Sequence, residues 1–169
     1  MTGLYNRRYF DDIATSLYND AKRHEHDFII FILDIDNFKL YNDHYGHAAG
    51  DDALIKVSLA LKEYMVRSSD LVFRLGGEEF GGVMTSEPEN IDNDIKHIKG
   101  LTKKIESLRI THSQNTVSDY LTISVGLRRL SAGDYRGASL EEAYKNADSA
   151  LYLAKQEGRN TVRIFSADD

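Results

Sequence analysis

Two hydrophobic periods alternate along this chain. Phe28-Ile-Ile-Phe-Ile-Leu33 is a continuous apolar run of strand length, the pattern of a strand buried on both faces. Leu71-Val72-Phe73, and Phe80 with Val83-Met84, are shorter β-like stretches on either side of a Gly-Gly pair, which predicts a hairpin. Further strands are expected near 121–128 and 161–165. Helical periodicity spans about Arg7–Arg23, Asp52–Val66, Ile91–Leu108 and Leu140–Gln156. In the last of these, Ala143, Ala147, Ala150, Leu151 and Ala154 form an apolar stripe that reads as plain core, and Ser139 with Glu142 makes a capping box. A short helix is expected to end at Gly46 and a new one to begin after Gly50. Together these elements predict an α+β fold with a central, mostly antiparallel sheet flanked by helices, in the order βααββαβ.

Candidate chemistry gathers at two strand ends. In Arg74-Leu75-Gly76-Gly77-Glu78-Glu79-Phe80 two adjacent carboxylates stand beside a turn without side chains. Such glycines adopt φ > 0 and let backbone amides approach an anion, while Glu78 and Glu79 offer the hard oxygens Mg²⁺ prefers. An acidic surface hairpin is the plain alternative. The buried run ends in Asp34-Ile35-Asp36-Asn37-Phe38-Lys39, which delivers two carboxylates where phosphate sites commonly form. If the strand continues through them, Asp34 and Asp36 share a side; Asp36 suits the N-cap of the next helix better than ligation. Asp34, directly after six apolar residues, is partly desolvated unless a cation meets it. Around Gly46 and Gly50, Asn42 and Asp51 can face one pocket. A carboxylate accepts from both N1–H and the N2 amine of guanine, and an Asn amide adds a donor and an acceptor. Adenine lacks that donor pair, so recognition of this kind discriminates on the order of 10⁴-fold. Helix capping by Asp51 beside an ordinary turn is the alternative.

Composition narrows the classes. A chain of 169 residues, 41% apolar, suits one globular domain that buries about 70% of its unfolded-chain surface. A net charge of −6 argues against non-specific binding to nucleic acid or anionic membranes, so a triphosphate would have to be met by local cations and metals. With no cysteine, disulfides and thiolate chemistry are excluded. No signal peptide, membrane-spanning run or internal repeat is evident, and a cytoplasmic location is expected. His24 and His26 flank Glu25 on a polar helix end and read as a solvated face. His44 and His47 lack a third ligand for zinc.

Read in order, these motifs resemble a GGDEF domain, the diguanylate cyclase family, in its GGEEF variant. The likeness runs almost end to end: Thr2-Gly3-Leu4-Tyr5-Asn6-Arg7-Arg8, the 34–39 stretch, Asn42-Asp43 with Gly46-His47 and Gly50-Asp51, the 74–80 hairpin, and Ala147-Asp148-Ser149-Ala150-Leu151-Tyr152 leading to Lys155 and Gly158-Arg159-Asn160. The resemblance implies the ferredoxin-like palm shared by nucleotide cyclases and polymerases, and condensation of two GTP into cyclic di-GMP with release of two pyrophosphates. It implies that Asp34 and Glu78 hold Mg²⁺ or Mn²⁺, assisted by the Ile35 carbonyl and Glu79; Glu78 is a ligand first and a proton acceptor second. Asn42 and Asp51 would read guanine, and Phe38, Lys39, Gly76 and Gly77 would line the phosphate path. Lys155 and Arg159, at i and i+4 on the last helix, would pair with the terminal phosphates; a solvated basic face at a helix C-terminus is the alternative. Because a half-site holds one GTP, a homodimer is implied, and no dimerising module is visible here.

By the same resemblance, Arg67-Ser68-Ser69-Asp70 marks an inhibitory product site, against the alternative of a surface Arg–Asp pair. The supporting Arg usual on the helix after the hairpin is replaced by Lys103 and Lys104, which lack the planar fork. Two departures stand out. Gly81-Gly82 occupies positions that are usually apolar, which predicts a softer hairpin. The start, Met1-Thr2-Gly3-Leu4, lacks the Asp of the family's opening pattern. Residues 1–169 are therefore expected to be one catalytic domain excised from a longer sensor protein, cytoplasmic whether or not its parent is membrane-attached. Two other functions compete: a cyclic di-GMP receptor using Arg67 and Asp70 without turnover, and a cyclase making a mixed guanine–adenine dinucleotide, against which Asp51 argues.

Overall fold

The apolar run around residue 30 becomes β1 (Asp27–Ile35), the middle strand of a five-stranded sheet. A computed structural model describes residues 3–67 and 70–167. Phe28, Ile30 and Ile32 enter one core, while Ile29, Phe31, Leu33 and Ile35 enter the other, as a strand covered on both faces requires. The hairpin strands β2 (Leu71–Gly76) and β3 (Glu79–Ser86) lie on one side of β1; β4 (Ile123–Leu130) and β5 (Val162–Ile164) lie on the other, in the order β2-β3-β1-β4-β5. Neighbours are antiparallel except β4 with β5. Helices α1 (Arg7–His24) and α6 (Leu140–Gln156) pack on the Phe28 face. On the other face lie α2 (Phe38–Tyr45), α3 (His47–Tyr64), α4 (Ile91–Lys99) and α5 (Leu101–Glu106). The α+β architecture is as expected, and none of the described helices is long and apolar enough to cross a membrane.

Three boundaries differ from the sequence reading, each for a physical reason. α3 starts at His47, so Gly50 sits inside its first turns instead of preceding them. That glycine is the point of closest approach to α2: an added Cβ would overlap the Asn42 amide and stand 3.4 Å from Phe38 Cζ. The single helix expected over 91–108 is two, α4 and α5, meeting at Gly100. The strand expected from 121 begins at Ile123, with Leu121 N turned to Ile110 O at 2.8 Å instead of to β1.

The last helix follows its pattern. Ser139 Oγ accepts from Glu142 N at 3.1 Å, and the alanine stripe is buried. Its small side chains let α6 lie directly on β4: a Cβ at Gly126 would overlap the backbone of Ala147 and Leu151. In β3, Gly81 and Gly82 are paired on both sides, opposite Ile32 and Phe31 of β1 and Phe73 and Val72 of β2. The Phe31 ring lies where a side chain at 82 would be, so the missing apolar side chain is replaced by one from the neighbouring strand.

Candidate functional site

The end of β1 and the hairpin turn meet because β1 pairs with β3 as far as the first residue of that strand, and the β2–β3 ladder slips between Arg74 and Gly76 as it enters the turn. Arg74 fastens the turn by donating from Nε and Nη2 to Gly77 O at 3.1 and 2.8 Å. Gly77 has φ +48, a left-handed value that glycine takes at no steric cost. Ile35 N then donates to Glu78 O at 3.4 Å, and Asp34 stands in register with Glu79. The cation that the sequence reading required for Asp34 is Lys155 of α6, whose Nζ lies 2.9 Å from Asp34 Oδ1.

The electrostatics are those of crowded carboxylates. Burial pushes the Asp34 carboxyl above its usual range, Lys155 pulls it back, and Glu78 and Asp36 push it further up. Glu79 is raised by burial first, then by Asp148 and Asp34, against Arg7 and Lys155. Among the described residues no three acidic or histidine side chains converge into a metal cage. The donor set nonetheless fits Mg²⁺, which takes one or two protein carboxylates and completes its shell with water and phosphate oxygens. Asp34 and Glu78, whose charges interact at this sheet end, offer oxygens of that kind.

Asp36 does not cap α2. It is 1% exposed and accepts from Thr122 Oγ1 at 2.8 Å, Ser124 Oγ at 2.6 Å and Asn160 N at 3.0 Å. Three donors satisfy a buried carboxylate better than one helix amide would. The cap position falls to Asn37, left-handed at φ 54 and making no side-chain cap bond, so the first amides of α2, those of Phe38 and Lys39 among them, keep their unspent donors. Phe38 is buried and Lys39 exposed.

Asn42, one turn along α2, has a buried Oδ1 with no hydrogen-bond partner, and it faces Gly50. An orphaned buried amide oxygen is the sort of group a ligand donor satisfies. Asp51 follows Gly50 on α3 and is exposed.

Lys155 and Arg159 do not share a helical face. α6 ends at Gln156, Gly158 has φ +116, and Arg159 itself is left-handed at φ 65, with its N–H bonded to Ala154 O at 3.0 Å. Glycine just past the helix produces this reversal, so Arg159 comes from the following turn.

Residues 1–161 match the family model described as diguanylate cyclase, GGDEF domain. The chain belongs to the GGDEF family. It is 35% identical over 164 residues to the probable diguanylate cyclase DgcC of Escherichia coli K12, covering 97% of this chain and 42% of that protein. It is 36% identical over 168 residues to the diguanylate cyclase DosC of the same strain, covering 99% of this chain and 35% of that one. Thus the chain spans less than half the length of these relatives. The crystal structure of the GGDEF domain of DgcB from Caulobacter crescentus in complex with c-di-GMP superposes with a TM-score of 0.82 at 28% identity, over 96% of this chain and 92% of that one. The active GGEEF domain of a diguanylate cyclase from Vibrio cholerae gives 0.77 at 28% identity, over 96% and 98%.

In this GGDEF domain the expected product-site residues have internal partners. The Arg67 guanidinium pairs with Asp94 of α4, whose other oxygen accepts from Ser86 Oγ at 2.6 Å. Asp70 is buried, 3.7 Å from His97 Nε2, and His97 stacks on Tyr64 with ring centroids 4.4 Å apart. Arg67, Asp94, Tyr64 and His97 help line an open polar cleft of about 870 Å³. Ser68 and Ser69 of that motif, like Met1 and Thr2 of the opening one, lie outside the described residues. Lys104 reaches Glu63, at 3.9 Å, and Lys103 is exposed. Sequence reasoning left Tyr144, Asp148 and Arg7 out of the GGDEF site. Tyr144 and Asp148 precede Lys155 by eleven and seven residues, a one-face helical spacing that was available as a signal. Arg7 lies over the Tyr144 ring at 4.7 Å and donates to its hydroxyl at 3.0 Å.

Proposed function

We propose that this GGDEF domain condenses two GTP molecules into cyclic di-GMP, releasing two pyrophosphates. The observation that carries the reading is the meeting of Asp34, Glu78 and Lys155 at one sheet end, where a two-carboxylate donor set adjoins a cation suited to phosphate. Mg²⁺ or Mn²⁺, when bound, supplies Lewis-acid polarisation of the α-phosphate and acidifies the attacking 3′-hydroxyl. Asp34 and Glu78 would hold it, with the Ile35 carbonyl and Glu79 beside them. Glu78 is a ligand first and a proton acceptor second, and Glu79, whose carboxyl burial holds above its usual range, adjoins it. The unspent Asn42 oxygen accepts from a guanine N–H, and Asp51 accepts a second.

The exposed turn at Gly76 and Gly77 and the first amides of α2 receive phosphate oxygens. Lys155, with Arg159 reaching in from its turn, stabilises charge developing on pyrophosphate. A glutamate at the first acidic position is compatible with turnover, since the Vibrio relative is an active GGEEF domain.

All these groups lie within one sheet and its helices, so the chain acts as a single catalytic domain. One such domain holds one GTP, so turnover requires two facing each other, and an attached dimerising element would raise their effective concentration. The cleft lined by Arg67 and His97, with Asp70 buried beside His97, serves as an inhibitory product site, weakened by the Asp94 contact. The test is incubation of concentrated protein with GTP and Mg²⁺, separation of the nucleotides, and Glu78→Ala alongside. Cyclic di-GMP from the parent and none from the variant is expected. No product even after fusion to a dimerising helix, with cyclic di-GMP binding that Arg67→Ala removes, would make the domain a receptor instead.

A further inference from the structure

The helix that carries Phe38, Lys39 and Asn42 is gripped by a loop that the proposed chemistry does not use. α2 and its cap present Asn37, Tyr41 and Tyr45 at intervals of four, which is one helical face. The segment between α5 and β4 meets all three. His112 Nε2 lies 3.1 Å from Asn37 O; a carbonyl only accepts, so this nitrogen carries the proton. The His112 ring stands edge-on to Tyr41, centroids 5.2 Å apart. Ser113 N donates to Tyr45 Oη at 3.0 Å. Asn37 Nδ2 donates to Asn115 Oδ1 at 2.9 Å, and Asn115 Nδ2 is itself held to Tyr120 O at 2.8 Å and Thr122 Oγ1 at 3.2 Å.

Two features separate this contact from ordinary packing. His112 is fully buried, yet its Nδ1 has no partner. A leucine would fill similar space without leaving a polar atom unmet, so what the histidine adds is the bond to Asn37 O. Asn37 in turn holds a left-handed backbone at φ 54, which costs a non-glycine residue free energy unless its surroundings enforce it. Its carbonyl accepts both from His112 and from Tyr41 N, the latter at 3.1 Å.

We propose that His112 and Asn115 are positioning residues for nucleotide binding, clasping α2 through Asn37 so that its first amides and the Asn42 amide are held for the ligand. The functional half of this inference rests on the cyclase reading; the clasp itself does not.

The test compares the full chain with His112→Gln, whose amide nitrogen can replace the Nε2 donor, and His112→Leu, which keeps bulk without a donor; Asn115→Ala serves as an independent variant. Backbone hydrogen exchange of α2, binding of a non-hydrolysable GTP analogue, and KM and kcat for GTP are measured. His112→Leu is expected to exchange α2 amides about tenfold faster with α6 unchanged, and to raise KM about tenfold with kcat within about twofold. Asn115→Ala should move the same readouts the same way, and His112→Gln should restore them. Unchanged α2 protection in the Leu variant, or equal losses in Gln and Leu, would overturn the clasp. A parent without turnover would sink the cyclase reading alone, because exchange and analogue binding still decide the clasp.

Discussion

Gly50→Ala probes the proposed base-reading role of Asn42 without altering Asn42. The new Cβ would overlap Asn42 Oδ1, lie 2.9 Å from its Cγ and 3.4 Å from Phe38 Cζ. Gly50 is inside α3, where alanine reduces the entropy lost on folding and stabilises by about 1 kcal/mol. Against this, the amide must turn aside, and an off-rotamer side chain costs about 0.5–1.5 kcal/mol. The two nearly cancel, so stability is expected to stay within about 1 kcal/mol of the parent. Nucleotide affinity has no such compensation. Losing a buried partner group costs about 1–3 kcal/mol, which is about 5- to 150-fold in binding. Thermal unfolding and calorimetric titration with a non-hydrolysable GTP analogue read the two effects separately. On an Asn42→Ala background the alanine at 50 should cost no further affinity, since the group it displaces is gone. Full affinity in Gly50→Ala, or an undiminished loss on that background, would refute the assignment of Asn42.

Four further outcomes follow from the same geometry. Asp34→Asn should abolish product while melting no lower than the parent: the carboxyl is raised chiefly by burial, so stability from its protonation is present below the unfolded value of 3.8 and is lost as pH rises through the folded one. A clearly lower melting temperature at neutral pH would contradict this. The His112 imidazole is lowered by burial first, with His44 adding and the Asn37 carbonyl opposing; its contribution is present above 6.5 and is lost as pH falls through the folded value. Urea melts from about pH 7 to 5 should therefore decline more steeply for the parent than for His112→Leu, and equal slopes would dismiss that account. Gly126→Ala should destabilise by about 3 kcal/mol in urea, because the atoms it meets are helix backbone and cannot swing away; a loss below about 1 kcal/mol would show that α6 can lift. Asp94→Asn removes the charge paired with Arg67 and should tighten cyclic di-GMP binding about tenfold by titration, whereas unchanged affinity would mean that Asp94 does not compete.

Patterns carried by neighbouring residues were readable from the chain: the buried strand at 28–33, the Gly-Gly hairpin and the alanine stripe of α6 all rest on short-range periodicity. Partnerships across the fold were not. Asp36 looked like a cap because the next helix starts beside it, while its actual donors, Thr122 and Ser124, are 86 and 88 residues away. Asp34 plainly needed a cation, but nothing local says it is Lys155. Arg159 was misplaced although Gly158 stood in view as a helix stop; spacing of four was trusted beyond the helix that gives it meaning. Gly50 illustrates a different blind spot. A glycine in a sequence does not declare whether its missing side chain serves a turn or leaves room, and here it leaves room.

The contact at Gly126 has a mechanical consequence. With backbone lying on backbone, α6 and β4 form one stiff jaw, and that jaw carries Lys155 and Asp148. The opposite jaw, α2 with α3, packs on the other face of the sheet through side chains such as Phe38, Leu54 and Val57, and α2 leaves β1 through the left-handed Asn37; side-chain contacts of this kind yield before a close-packed backbone does. A nucleotide bound as proposed would meet one fixed wall and one adjustable wall. Fitting the base would then become a movement about Asn37, while the position of Lys155 stays constant.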